Sequence, residues 1–193
     1  MSNVSAPSGF RLAYSPSGQS RATAYTIASA YGSQISYGDP VVLNTNGTIT
    51  LPTATSDPLL GVFAGCEYID ASGKPTESKH WPAAQAVLAG TTPVAYVYDD
   101  PANLYEVQVT ANASGYVQAA IGDQTNVHPV TAGSAVTGQS NAGLALALVG
   151  AGGQGQVRVM ALVDGAYDAN SNAYPIVRVQ IARHTFAAAM PAI

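Results

Sequence analysis

The residues able to do chemistry in this 193-residue chain are few and scattered. His80, His128 and His184 stand far apart, and none pairs with a second histidine at a ligand spacing. A zinc site needs three or four converging ligands, and one cysteine, Cys66, supplies neither a Cys-based site nor an internal disulfide. The spacing therefore predicts no metal centre. Asp99-Asp100 is a pair of adjacent carboxylates. Glycosidase chemistry needs two carboxylates facing across a cleft, and a calcium loop needs further spaced acids. The pair reads as solvated acids on a turn. Gly18-Gln19-Ser20-Arg21-Ala22 and Gly138-Gln139-Ser140-Asn141-Ala142 loosely resemble a nucleophile elbow. An elbow requires a strand before it, a helix after it and a histidine with a carboxylate, and neither flank provides these, so turn chemistry is expected. Gly150-Ala151-Gly152-Gly153-Gln154-Gly155 matches a dinucleotide fingerprint. The next residues alternate as a strand instead of opening a helix whose N–H groups could hold a pyrophosphate, so a hairpin loop is expected. Cys66, inside an apolar run, reads as a packed thiol rather than an activated one. No catalytic residue, no metal and no cofactor is expected.

The elements around these residues are short strands. Residues 92–109, TPVAYVYDDPANLYEVQV, alternate apolar and polar on both sides of a turn with Pro101 and three Asp or Asn side chains. This predicts a hairpin at the centre of the fold. Asn46-Gly47 between apolar runs predicts a second hairpin over 41–51. Residues 59–69 are apolar enough for a strand buried on both faces. Residues 70–82 are polar and predict an exposed loop carrying the only tryptophan, Trp81. Short strands are expected over 116–121 and 127–130, and longer ones over 144–149, 156–164 and 175–185. Eight to ten strands with Gly/Pro turns and no capped helix give an all-β class: a single antiparallel β-barrel or sandwich over 37–186. Residues 1–36 read as an extended N-terminal arm, in which 20–30 could make a strand, and 187–193 as a short C-terminal tail.

Composition narrows the function. A chain of this length buries roughly 70% of its unfolded surface, so it can hold a core without metal or disulfide. Only 9% of residues are charged, and Gly, Ala, Ser and Thr take their place. So few surface charges suit a protein that lives against another surface. The net charge is −4 with no Lys/Arg cluster, which argues against direct nucleic-acid binding. The N-terminus lacks a secretory pattern, and the apolar run over 142–153 is too short to cross a bilayer, so cytosolic synthesis and no membrane contact are expected. Asn-x-Ser/Thr triplets at Asn3, Asn46 and Asn112 then carry no glycosylation meaning. Eleven tyrosines against three phenylalanines favour interfaces, since tyrosine joins rigid area to a polar tip.

The succession YGDPVVLNTNGTIT, DPLLGVFAGCEYIDASGKPTESKHWP and VAYVYDDPANLYEVQV, followed by a closing strand and a short tail, resembles the capsid decoration, or cement, proteins of tailed bacteriophages. The likeness covers about residues 8–186. It implies a β-rich structural protein made in the host bacterial cytoplasm and carried on the outer capsid surface of the virion. Such proteins often form homotrimers that tie neighbouring major capsid protein subunits together. Capsid or subunit contacts are expected at Phe10, Tyr14 and Tyr25 of the arm, at Trp81, and at Met190 and Ile193 of the tail. The alternative is a tail or surface module that recognises carbohydrate by stacking on Trp81 and Tyr68. A hydrolase is a third possibility and would need a convergence of His, acid and nucleophile that the spacing does not suggest.

Overall fold

A computed structural model describes residues 4–18, 21–110, 118–127, 132–163 and 173–189. The architecture is an all-β sandwich of antiparallel sheets. The first sheet runs β1 (Arg11–Tyr14), β10 (Leu104–Gln108), β14 (Ile176–Ile181), β13 (Val157–Leu162), β11 (Gln124–Val127), β12 (Leu144–Val149). The second runs β2 (Thr23–Thr26), β9 (Val94–Tyr98), β6 (Gly61–Ile69), β4 (Pro40–Leu43), β5 (Ile49–Thr50), with β7 (Pro75–Ser78) also paired to β6. A short ribbon joins β3 (Ile35–Ser36) to β8 (His80–Trp81). Neither sheet closes into a barrel; isolated bridges pair Val109, just after β10, with Leu144 of β12, and Thr26 of β2 with Thr48, just before β5.

Alternation explains the two cores. In β9, β10 and β14 every second residue is buried, as a strand with one wet face requires. Tyr105, Val107, Val177 and Val179 join Phe10 and Leu144 in one cluster, while Ala95 and Val97 join Phe63, Ile35 and Trp81 in the other. The apolar run over 61–69 is buried only through Cys66; its last three residues are half-exposed.

The expected central hairpin does not form. Its turn does: Asn103 N–H donates to Asp100 O at 3.0 Å, and Ala102 N–H to Asp100 Oδ1 at 2.8 Å. Yet β9 pairs with β2 and β6, and β10 with β1 and β14. Both flanks of each strand are occupied, so the turn carries the chain from one sheet to the other. The Tyr105 hydroxyl pins this corner by donating to Tyr98 O at 2.9 Å. A five-residue connection imposes no two-residue hairpin register, and the two strands serve different cores. The Asn-Gly hairpin does form, with Val42 opposite Thr50 and Leu43 opposite Ile49.

Within residues 1–36, β2 lies in the stretch 20–30 where a strand was expected, and β1 adds a second; β1 pairs into the first sheet and β2 into the second. Phe10 is 1% exposed and packs edge-on against Tyr105 with ring centroids 6.2 Å apart. The polar stretch 70–82 is likewise not a free loop. It supplies β7 and β8, and Trp81 is fully buried. Residues 118–120 form a 3-10 turn where a strand was expected; β11 ends at Val127, and the rest of the expected 127–130 strand lies outside the described residues.

A buried junction fastens the N-terminal strand to the body. Ser140 Oγ donates to Asp39 Oδ1, Ser36 N–H donates to Asp39 Oδ2 at 2.6 Å, and Phe10 N–H donates to Gly38 O at 2.8 Å. Gly9 is obligatory here. Its φ is +80°, and a Cβ would sit 2.6 Å from Ser140 Cβ.

Candidate interaction surface

The side chains singled out by chemistry are mostly structural. Ser140 is fully buried against Asp39 and accepts from Ala142 N–H at 2.8 Å, which makes it a staple. Burial pushes the Asp39 carboxyl up to about 6, against the opposing pull of its Ser140 and Ser36 donors. Burial pushes the Cys66 thiol up to about 12, and its S–H points to His80 O at 3.4 Å, so it is a packed thiol. Asp99 and Asp100 are not free in solvent. Asp99 accepts from Thr23 Oγ1 at 2.8 Å and Tyr25 Oη at 2.7 Å, and Asp100 accepts from Ser17 Oγ at 2.9 Å. The pair ties the N-terminal segment to the sheet-switching corner. The glycine-rich run over 150–155 leads into β13 without a helix, but it is not a hairpin loop, because β11 lies between β12 and β13. His80 Nδ1 sits 3.4 Å from Ser78 Oγ, and His184 Nδ1 accepts from Phe186 N–H at 3.0 Å. His128 and the Ser20 triplet's serine lie outside the described residues. Among the described residues no three His, Cys, Asp or Glu side chains gather as metal ligands.

The six expected contact residues fare differently. Tyr14 is 57% exposed on the outermost strand of the first sheet. Tyr25 is half-buried, and burial with the Asp99 hydrogen bond holds its phenol proton tightly. Phe10 and Trp81 are in the core and present no surface: Phe10 packs in the cluster of Tyr105 and Val107, and Trp81 in that of Ile35 and Phe63. Trp81 packs edge-on with Tyr68, centroids 5.3 Å apart, so it offers no face to a sugar. Met190 and Ile193 lie outside the described residues.

The surface that the structure assembles was not anticipated. Strand registers place Thr26, Val94, Glu67 and Glu77 side by side across β2, β9, β6 and β7. On the outer side of this row lies a cleft of 520 Å³, lined by Glu67, Ile69, Pro75, Glu77, Thr92 and Val94 among others. A hollow of 380 Å³ adjoins it, lined by Gly65, Glu67, Glu77, Lys79 and Tyr96. Gly65, at φ +142° and at a register shift between β6 and β9, allows the strand to turn its last residues outward. Tyr96 lines this hollow with Glu67, and the carboxylate raises the phenol pKa. Two carboxylates thus stand directly opposite on paired strands, an arrangement that destabilises a sheet. No described Lys, Arg or His nitrogen lies within 4.0 Å of either. The signal was present in the sequence. A turn centred on Ser72 makes positions 67 and 77 partners, as it does 69 and 75.

Exposed apolar side chains stand elsewhere. Leu146 is 43% exposed on β12, the other outermost strand of the first sheet, and Met160 is 40% exposed on β13. Val136 is 96% and Phe186 61% exposed. No described helix is long and apolar enough to cross a membrane. No protein-family model, no curated protein and no solved structure matches the chain.

Proposed function

We propose that this chain is a capsid decoration protein of a tailed bacteriophage, a passive clamp on the outer shell that ties neighbouring major capsid protein subunits together and performs no chemistry. The supporting observation is where uncovered apolar side chains lie. Tyr14 and Leu146 sit on the two outermost strands of the first sheet, in a chain with 9% charged residues. An outer strand carries unpaired backbone groups, and an apolar, weakly charged one is a natural template for another chain.

In this reading the protein adheres to the shell as a homotrimer. Three linked contacts raise avidity by about 10²–10⁴ over one contact, provided all engage together. A contact of about 800 Å² per partner suffices for a stable interface. The gripping surface is assigned to the sheet edges and the outer face of the second sheet rather than to Phe10, which the body uses for its own core.

The test is addition of the purified protein to undecorated heads. Saturable binding with raised resistance to heat supports the clamp. Heads that take up no protein at saturating concentration remove it.

A further inference from the structure

We propose that the cleft bounded by Glu67 and Glu77 receives a lysine or arginine side chain from the shell subunit to which the protein clamps; the partner named here rests on the proposed function above.

Two observations converge on this occupant. First, the two carboxylates face each other across β6 and β7, and no described cation compensates them. Lys79, two positions beyond Glu77, lines the adjoining hollow but comes no closer than 4.0 Å to either acid. Second, the cleft beside the acids is walled by Ile69, Pro75 and Val94. That combination matches a long cationic side chain, whose apolar stem lies on apolar surface while its charged head meets carboxylate.

The chain carries a net charge of −4, so a basic partner is attracted to it at long range.

The arrangement also accounts for the retention of a destabilising pair. Like charges in register weaken the free protein slightly, and a cation placed between them converts that repulsion into two attractions. The free protein is the less stable form, and binding relieves it.

The experiment compares wild type with Glu67→Gln/Glu77→Gln on undecorated heads at low and high salt. The expected result is an affinity loss of about tenfold or more in the double variant, with most of the salt dependence gone. The variant's melting temperature should equal or exceed that of wild type, which separates a lost contact from a damaged fold. Wild-type affinity and salt dependence in the variant overturn the inference while leaving the clamp intact. Failure of the wild type itself to bind heads overturns both. A change in self-association, read by sedimentation, without a change in head binding assigns the cleft to a second copy and overturns the shell-subunit occupant.

Discussion

In the first sheet Glu106 stands directly opposite Arg178, with Oε1 and a guanidinium nitrogen 2.9 Å apart; in the second, Glu67 stands directly opposite Glu77. Both are cross-strand pairs on half-wet sheet faces, built by the same antiparallel ladder. One face pairs its acid with a cation of the same chain. The other is left open and lies beside a cleft. The difference separates a face whose acid is paired within the chain from one whose acids oppose each other beside a cleft. It also moves the expected grip away from loose chain ends. The N-terminal strands are committed to the body through Phe10, Gly9 and the Asp39–Ser140 junction.

The largest test of that division is on the cores. Phe10→Ala and Trp81→Ala should each cost about 3–5 kcal/mol in chemical denaturation, as buried aromatic truncations do. An arm merely draped on the body would lose almost nothing at Phe10, so a small effect there would restore the extended-arm description. Next in size is the junction between the regions. Asp39 has a folded pKa of about 6 against 3.8 in the unfolded chain, so the native state binds the proton more tightly. Its contribution is therefore fully present below about pH 4 and is lost as pH rises towards 6, a fall of roughly 3 kcal/mol. Asp57 and Asp70, held below the ordinary carboxylate range by hydrogen bonds, act in the opposite sense and lose their contribution as pH falls through that range. The difference between wild type and Asp39→Asn across pH 4–7 isolates the junction. A flat difference would mean that the buried carboxyl is solvated in solution.

Much of this was legible in the residues, and the failures share a cause. Period-two alternation located β9, β10, β12 and β14, and Asn46-Gly47 located its hairpin, because those signals are local. The same alternation over 94–108 suggested a hairpin because a turn flanked by two strands does not say whether they pair; that depends on β2, β6, β1 and β14, all distant in sequence. Phe10 lies in a stretch without strong periodicity and Trp81 in a polar one, so neither carries a local mark of burial; burial of a single large ring is decided by what packs over it. The Glu67–Glu77 pair was overlooked for a different reason. Residues 70–82 were read as one polar loop by composition, when Asp70 was already organising a turn: its Oδ1 accepts from Ser72 and Lys74 N–H at 2.8 and 3.1 Å. Reading that turn as a hairpin centre would have put the two acids opposite each other.

The smallest expected effects bear most directly on the two pairs. Glu106→Gln should lower stability by about 0.2–1 kcal/mol, the range for solvent-exposed ion pairs, since Arg178 and Glu106 side chains are 38% and 23% exposed. Glu67→Gln should change it by a similar amount in the other direction, about 0.2–1 kcal/mol of stabilisation, because it removes repulsion between directly opposed carboxylates. Urea denaturation at low and high salt resolves both, and salt should shrink each difference, since screening weakens attraction and repulsion alike. Were Glu67→Gln to destabilise the protein as Glu106→Gln does, the carboxylate would be supporting the fold through Tyr96, and the second sheet would hold no open acidic face. Tyr96→Phe in the same series separates the two terms: loss of the hydroxyl alone should leave the opposition of Glu67 and Glu77 intact, so the gain from Glu67→Gln should persist in that background.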